Sequence, residues 1–274
     1  VSLNYDLSQK IKVQYRFGYD NYSNYQLYAQ NKGGTYYPQG FLRTSTGFNT
    51  ILDHTLTTTY KTDINNDFDL DVLAGVNSRE LSYNQMGATS KDQLVFGLLD
   101  HTNFVTHDIV NESGADMDYL IKSQSIGAFA TATLGYRNYA YLVVGGRNSF
   151  TSTLEAENRS VFYPNISGSF IATEAFDFLR NKKNINYLKF RLGYSTAANF
   201  PSPYSTRSAL NISTRNFVTN AGTVINTNSI PNFLPNPNLK PELMAETETG
   251  IEGKFFQSRL STDITLYQRV SNDQ

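Results

Sequence analysis

Residues able to do chemistry are few in this sequence, and they fall into three sets. The first is Asp100, His101, His107, Asp108, Asp116 and Asp118, which gathers imidazole and carboxylate, both ligand types for transition metals. The step from His101 to His107 matches no metal-binding spacing, so these residues are read as a polar connection and no metal is expected. No Gly-rich phosphate loop, Gly-x-Ser-x-Gly or His-Glu-x-x-His is present. There is no cysteine, which removes thiol nucleophiles, disulfides and Cys-type zinc sites. The chain is therefore read as non-enzymatic and without a cofactor. The second set is the charges Arg147, Lys189, Arg191, Glu246, Glu248, Arg259 and Asp263. The third is a group of aromatic and cationic residues, Phe200, Tyr204, Arg207, Arg215 and Phe217, among Ser, Thr and Asn.

What positions these sets is a period-two pattern, since successive side chains of a strand point to opposite faces. Leu188, Phe190, Leu192 and Tyr194 alternate with Lys189, Arg191, Gly193 and Ser195. Thr247, Thr249, Ile251, Gly253 and Phe255 alternate with Glu246, Glu248, Glu252 and Lys254. After a tight join at Gln257-Ser258, Leu260, Thr262, Ile264 and Leu266 alternate with Arg259, Ser261, Asp263 and Thr265. Further strands are predicted over 1–7, 11–19, 52–60, 68–76, 126–134, 139–150 and 165–170, giving about ten. Asp67, Asp69 and Asp71 share the polar side of one of them.

The connections sort by length. Short turns are expected at 8–9, 62–66, 137–138 and 257–258, and a short helical connection over 173–186. Loops are expected over 21–50, 81–120, 151–160 and 197–244, the last holding six of the eight prolines. Alternation of short turns with long loops is how outer-membrane β-barrels are built, with turns on the periplasmic side and loops outside. A Greek-key sandwich has no reason to sort its loops this way.

Composition agrees. The 274 residues carry 23 basic against 24 acidic side chains, without the basic excess of a nucleic-acid binder. Tyr and Phe number 19 and 18, and such rings collect at membrane interfaces, although Trp is absent. No apolar run is long enough for a transmembrane helix.

Two stretches carry a family resemblance. Asn236-Pro237-Asn238-Leu239-Lys240-Pro241-Glu242, followed by Glu246, Glu248 and Gly250, resembles the NP(N/D)LKPE…E.G segment of TonB-dependent outer-membrane receptors. Gly146-Arg147-Asn148-Ser149-Phe150-Thr151-Ser152-Thr153-Leu154, then Asn158-Arg159-Ser160 and Phe162-Tyr163-Pro164-Asn165, is similar to a segment of the SusC/RagA branch. So is Tyr187-Leu188-Lys189-Phe190-Arg191-Leu192-Gly193-Tyr194. Ser149 stands where the branch usually has an acid, and Ala198 where it has glycine. The resemblance is strong over 139–274.

It implies an all-β antiparallel transmembrane barrel of roughly 22 strands, located in the outer membrane around a plug that couples to TonB. Residues 1–274 would then be one part of that barrel domain, without the plug. The opening Val1–Tyr5 already reads as strand, and Ser271–Gln274 lacks a terminal aromatic strand, so an internal piece of a longer polypeptide is expected. The resemblance further implies active uptake of an oligosaccharide or peptide, a SusD-like surface lipoprotein as lid, and outer-membrane lipid around the barrel. A passive porin and a surface β adhesin are the alternatives. On this reading the second set faces the lumen, either as a structural ion-pair ladder or in contact with substrate. The third lies in an extracellular loop and contacts cargo or lid, or packs on itself.

Overall fold

The computed structural model describes residues 1–111, 115–180, 184–208, 211–218, 222–230 and 233–272. Its strands are β1 (Ser2–Asp6), β2 (Ile11–Gln30), β3 (Phe41–Asp63), β4 (Phe68–Gln93), β5 (Phe104–Asp108), β6 (Tyr119–Tyr136), β7 (Ala140–Thr151), β8 (Ser160–Ile171), β9 (Ile185–Asn199), β10 (Asn211–Val218), β11 (Val224–Ser229), β12 (Glu242–Phe255) and β13 (Leu260–Asn272). Two single-turn helices, α1 (Ala172–Ala175) and α2 (Asp177–Arg180), join β8 to β9. The main sheet runs β1-β2-β3-β4-β6-β7-β8-β9-β12-β13, with β5 added to β4, and β10–β11 is a separate hairpin. Sequence neighbours pair antiparallel, as β12 does with β9 and β13. Among the described residues β1 and β13 end the pairing order.

The tight turns follow the sequence. Arg137 and Asn138 both adopt positive φ, 47° and 60°, as a type I′ hairpin turn requires. Phe256, Gln257 and Ser258 do likewise between β12 and β13. Of the helical connection expected over 173–186, α1 and α2 account for the part up to Arg180, residues 181–183 lie outside the described residues, and β9 already begins at Ile185.

Three expected loops are shortened by strand that runs into them or forms within them. Of 21–50 only 31–40 lies outside β2 and β3; β4 continues to Gln93; and 197–244 contains the β10–β11 hairpin and the ends of β9 and β12. The physical reason is length. A tilted strand crosses a bilayer in about 9–11 residues, whereas β2, β3 and β4 have 20, 23 and 26. Beyond the lipid the backbone ladder persists but neither face must be apolar. Stretches such as Asn21–Gln30 therefore lose the alternation that reveals a strand.

The chain resolves into two compact units, 1–16 with 55–78 and 125–274, and 17–54 with 79–124. In the first, Leu154, Val161 and Ala172 are buried near strand ends, while Leu192, Ile264 and Leu266 in mid-strand are 61%, 63% and 69% exposed. In the second, Phe41, Leu42, Phe104 and Met117 are buried, and Phe41 stacks on Tyr37 at 4.4 Å. A continuous exposed apolar face is not tolerated in water but is required against lipid.

Candidate functional site

The opposite face of the first unit is polar, and its charges are joined across three strands. Arg191 on β9 donates to Asp263 on β13 through two nitrogens, at 2.6 and 3.2 Å, to Glu248 on β12 at 3.3 Å, and to Thr265. Residues 191, 250 and 265 lie side by side in the register of β9, β12 and β13. Gly250 is the reason Arg191 can span β12. A Cβ there would stand 2.5 Å from Arg191 Nε, so a side chain would block the route. The same device recurs at β6. A Cβ on Gly127 would sit 2.6 Å from Arg147 Cζ, and Arg147 reaches over that glycine toward Asn77 on β4 at 3.4 Å. Arg147 also donates to Ser149, whose hydroxyl shares a 2.6 Å hydrogen bond with Tyr163.

Glu246 joins this face by accepting from Arg269 at 2.8 and 2.5 Å. Lys189 stands in register with Glu252. A concavity on the polar side is lined by Tyr141, Ser167, Lys189, Arg191, Glu246 and Glu248. Six of the seven charges predicted for this face are on it. Arg259 lies instead in the β12–β13 turn, where its amide donates to Phe256. Arg269 was missed, although the alternation carried past Tyr267 puts it beside Glu246. Chemically the face is a polar wall in which Arg191, Glu248, Asp263, Glu246 and Arg269 are joined as ion pairs.

Over residues 1–274 the sequence matches the family described as TonB dependent receptor-like, beta-barrel. The chain belongs to this TonB-dependent receptor barrel family. No curated protein matches it. Among solved structures it resembles the RagAB peptide transporter, at 19% identity and TM-score 0.79, covering 99% of this chain and 29% of that one. It also resembles the copper transporter OprC, at 14% identity and TM-score 0.56, covering 97% and 37% respectively. A third likeness is to FpvA of P. aeruginosa bound to heterologous pyoverdines, at 11% identity and TM-score 0.55, covering 98% and 32%. The chain thus spans about a third of the length of these structures.

The loop candidates divide. Arg207 is engaged: its Nε and Nη2 each lie 2.7 Å from the Glu155 carboxylate, which also accepts from Thr206 at 3.0 Å. The paired guanidinium, with help from Thr206, pulls the Glu155 pKa down to about 2. This clamp ties the segment after β9 to the β7–β8 loop, and no local sequence signal announced it. Tyr204 is exposed at φ 66°, a strained backbone for a non-glycine residue. Phe200 is half-buried. Arg215 and Phe217 lie on β10, and their side chains fall outside the described residues.

His101 and His107 form a hydrogen-bonded chain rather than a metal site. Ser90 Oγ is 2.7 Å from His101 Nδ1 and 2.8 Å from His107 Nδ1, and Thr44 Oγ1 is 2.7 Å from His101 Nε2. Ser90 is only 1% exposed, so the chain pins the segment after β4 onto β3 and β4. Burial, then the neighbouring His107, pushes the His101 pKa down. Among the described residues no group of three or more ligand side chains is placed to hold a metal.

Proposed function

We propose that residues 1–274 are part of an active importer in the outer membrane, drawing energy from TonB through a plug and capturing an oligosaccharide or peptide under a SusD-like surface lipoprotein. The observation that carries this reading is the two-faced sheet: an exposed apolar face of Leu142, Ile166, Leu192 and Ile264 backs onto a charge-paired face built around Arg191. That combination needs lipid on one side and water on the other. The SusC/RagA motifs of the sequence and the fold likeness to the RagAB peptide transporter favour the lid and the peptide or glycan class. The exposed, strained Tyr204 and the β10–β11 hairpin on the long-loop side are the proposed contact surface for lid or cargo. The lumenal charges, with Arg191, Glu246, Glu248 and Asp263 already in ion pairs, act as wall rather than as ligand sites.

The test is made in the full-length receptor. Residues 211–229 are replaced by a short Gly-Ser linker, which leaves Arg207 and Glu155 in place. Barrel assembly should persist while lid co-purification or uptake falls. Retention of both would make the hairpin a passive cover. Uptake that survives removal of the TonB complex would point to a passive porin.

A further inference from the structure

The connection between β8 and β9 is unlike the other connections on the short-turn side, which occupy 7–10, 64–67, 137–139 and 256–259. It is longer, it carries α1 and α2, and it continues a row of aromatic rings. Phe68 and Tyr136 have centroids 4.7 Å apart, Tyr136 and Tyr139 5.3 Å, Tyr139 and Phe170 5.8 Å, Phe170 and Phe176 5.9 Å, and Phe176 and Phe178 5.6 Å. Phe170 belongs to the lipid face, where it lines an apolar groove with Leu142, Ile166, Phe190 and Leu192. From Phe170 the row leaves the sheet. Phe176 is 45% exposed and Phe178 65%.

The base of this extension is fixed. Ala172 and Thr173 are buried at 4% and 2%. Ile171 N donates to Tyr139 O at 2.7 Å, Leu188 N to Thr173 Oγ1 at 3.3 Å, and Phe176 N to Ala172 O at 3.0 Å. Two large rings thus project from a braced turn, in line with the aromatic margin of a lipid-facing sheet. Aromatic rings at that level sit among lipid headgroups, with their apolar bodies toward the acyl chains.

We propose that α1 and α2 form an interfacial foot: the segment lies in the periplasmic leaflet of the outer membrane, with Phe176 and Phe178 seated in phospholipid. Its continuity with the lipid face through Phe170 selects a bilayer over a periplasmic protein as the occupant. The inference rests on the membrane-barrel reading and not on the cargo or the lid.

The experiment places a nitroxide at Phe178→Cys in the full-length receptor, freed of other cysteines and reconstituted in vesicles of phosphatidylethanolamine and phosphatidylglycerol. Leu192→Cys and Ser8→Cys serve as lipid and aqueous references. Accessibility to oxygen is compared with accessibility to a neutral nickel chelate. The expected result is a label at 178 that meets oxygen more readily than nickel, resembling 192 and not 8. A label at 178 as open to nickel as that at 8, with 192 still oxygen-rich, overturns the foot alone. Shielding from both reagents overturns it in favour of a protein contact. An aqueous reading at both 178 and 192 overturns the foot together with the facing of the sheet.

Discussion

Ile166 is where the lipid-facing assignment is most exposed to refutation. On β8 the outward positions run Phe162, Pro164, Ile166, Gly168 and Phe170. Phe162 is 63% exposed and Phe170 lies in the aromatic row. The two rings are eight positions apart, about 26 Å along the strand and about 20 Å along the membrane normal at the usual tilt. That span fits an apolar band about 25 Å tall with a ring at each margin. Ile166 falls at its midpoint, in register with Val144 and Tyr194. Ile166→Arg should therefore cost about 2–4 kcal/mol of folding stability, the penalty for a cation at the bilayer midplane. The control is Ser195→Arg, the same charge at nearly the same depth: Ser195 pairs with Asn165 and stands in register with Glu246 on the polar face. It should change stability by no more than about 0.5 kcal/mol. Denaturant titration of the refolded receptor in lipid vesicles measures both. Equal penalties would show that β8 and β9 have no lipid side, and the two-faced reading would fall with them.

Three further outcomes follow from the geometry. Because Glu155 has its pKa depressed from 4.5 to about 2, its clamp to Arg207 contributes fully above the ordinary carboxylate range and is lost as pH falls through about 2; Arg207→Ala should expose the segment after β9 to protease at neutral pH, and wild-type resistance in that variant would refute the clamp. Gly250→Ala should expel Arg191 from its path across β12 and lower the thermal midpoint in detergent, whereas in an Arg191→Ala background the same substitution should cost less; equal losses in both backgrounds would mean the glycine serves something else. Ser90→Ala removes the buried hydroxyl shared by the half-buried His101 and the exposed His107, a loss of about 1 kcal/mol, and protection of the adjacent amides in hydrogen exchange should drop; because the His101 pKa is depressed, the wild-type chain itself should loosen as pH falls below the ordinary histidine value.

What was legible in the sequence was whatever the bilayer enforces. Where a strand must show lipid one face and water the other, as in Leu188–Tyr194, the alternation is strict and the facing of Arg191 and Glu248 follows from it. Where the same strands continue past the lipid, as in Asn21–Gln30 and Leu81–Gln93, polar side chains occupy both faces and the sequence looks like a loop. Facing along β7 does not show in its alternation, since Tyr, Leu, Val and Gly fill both sides; in the structure Leu142 and Val144 are outward and Arg147 and Ser149 inward. Contacts between distant loops left no local trace at all. Glu155 finds Arg207 only because neighbouring connections on the long-loop side are brought together by strand order, and Ser90 finds His101 and His107 because the segment after β4 folds back onto its own strand. That order also explains why glycine at 127 and 250 matters. Each is unremarkable in its own strand, and each acquires its role from an arginine on the next strand that must cross it to reach a third. The polar wall is thus specified by triplets of strands rather than by pairs, and single-strand periodicity can place its charges on a face but cannot say which of them meet.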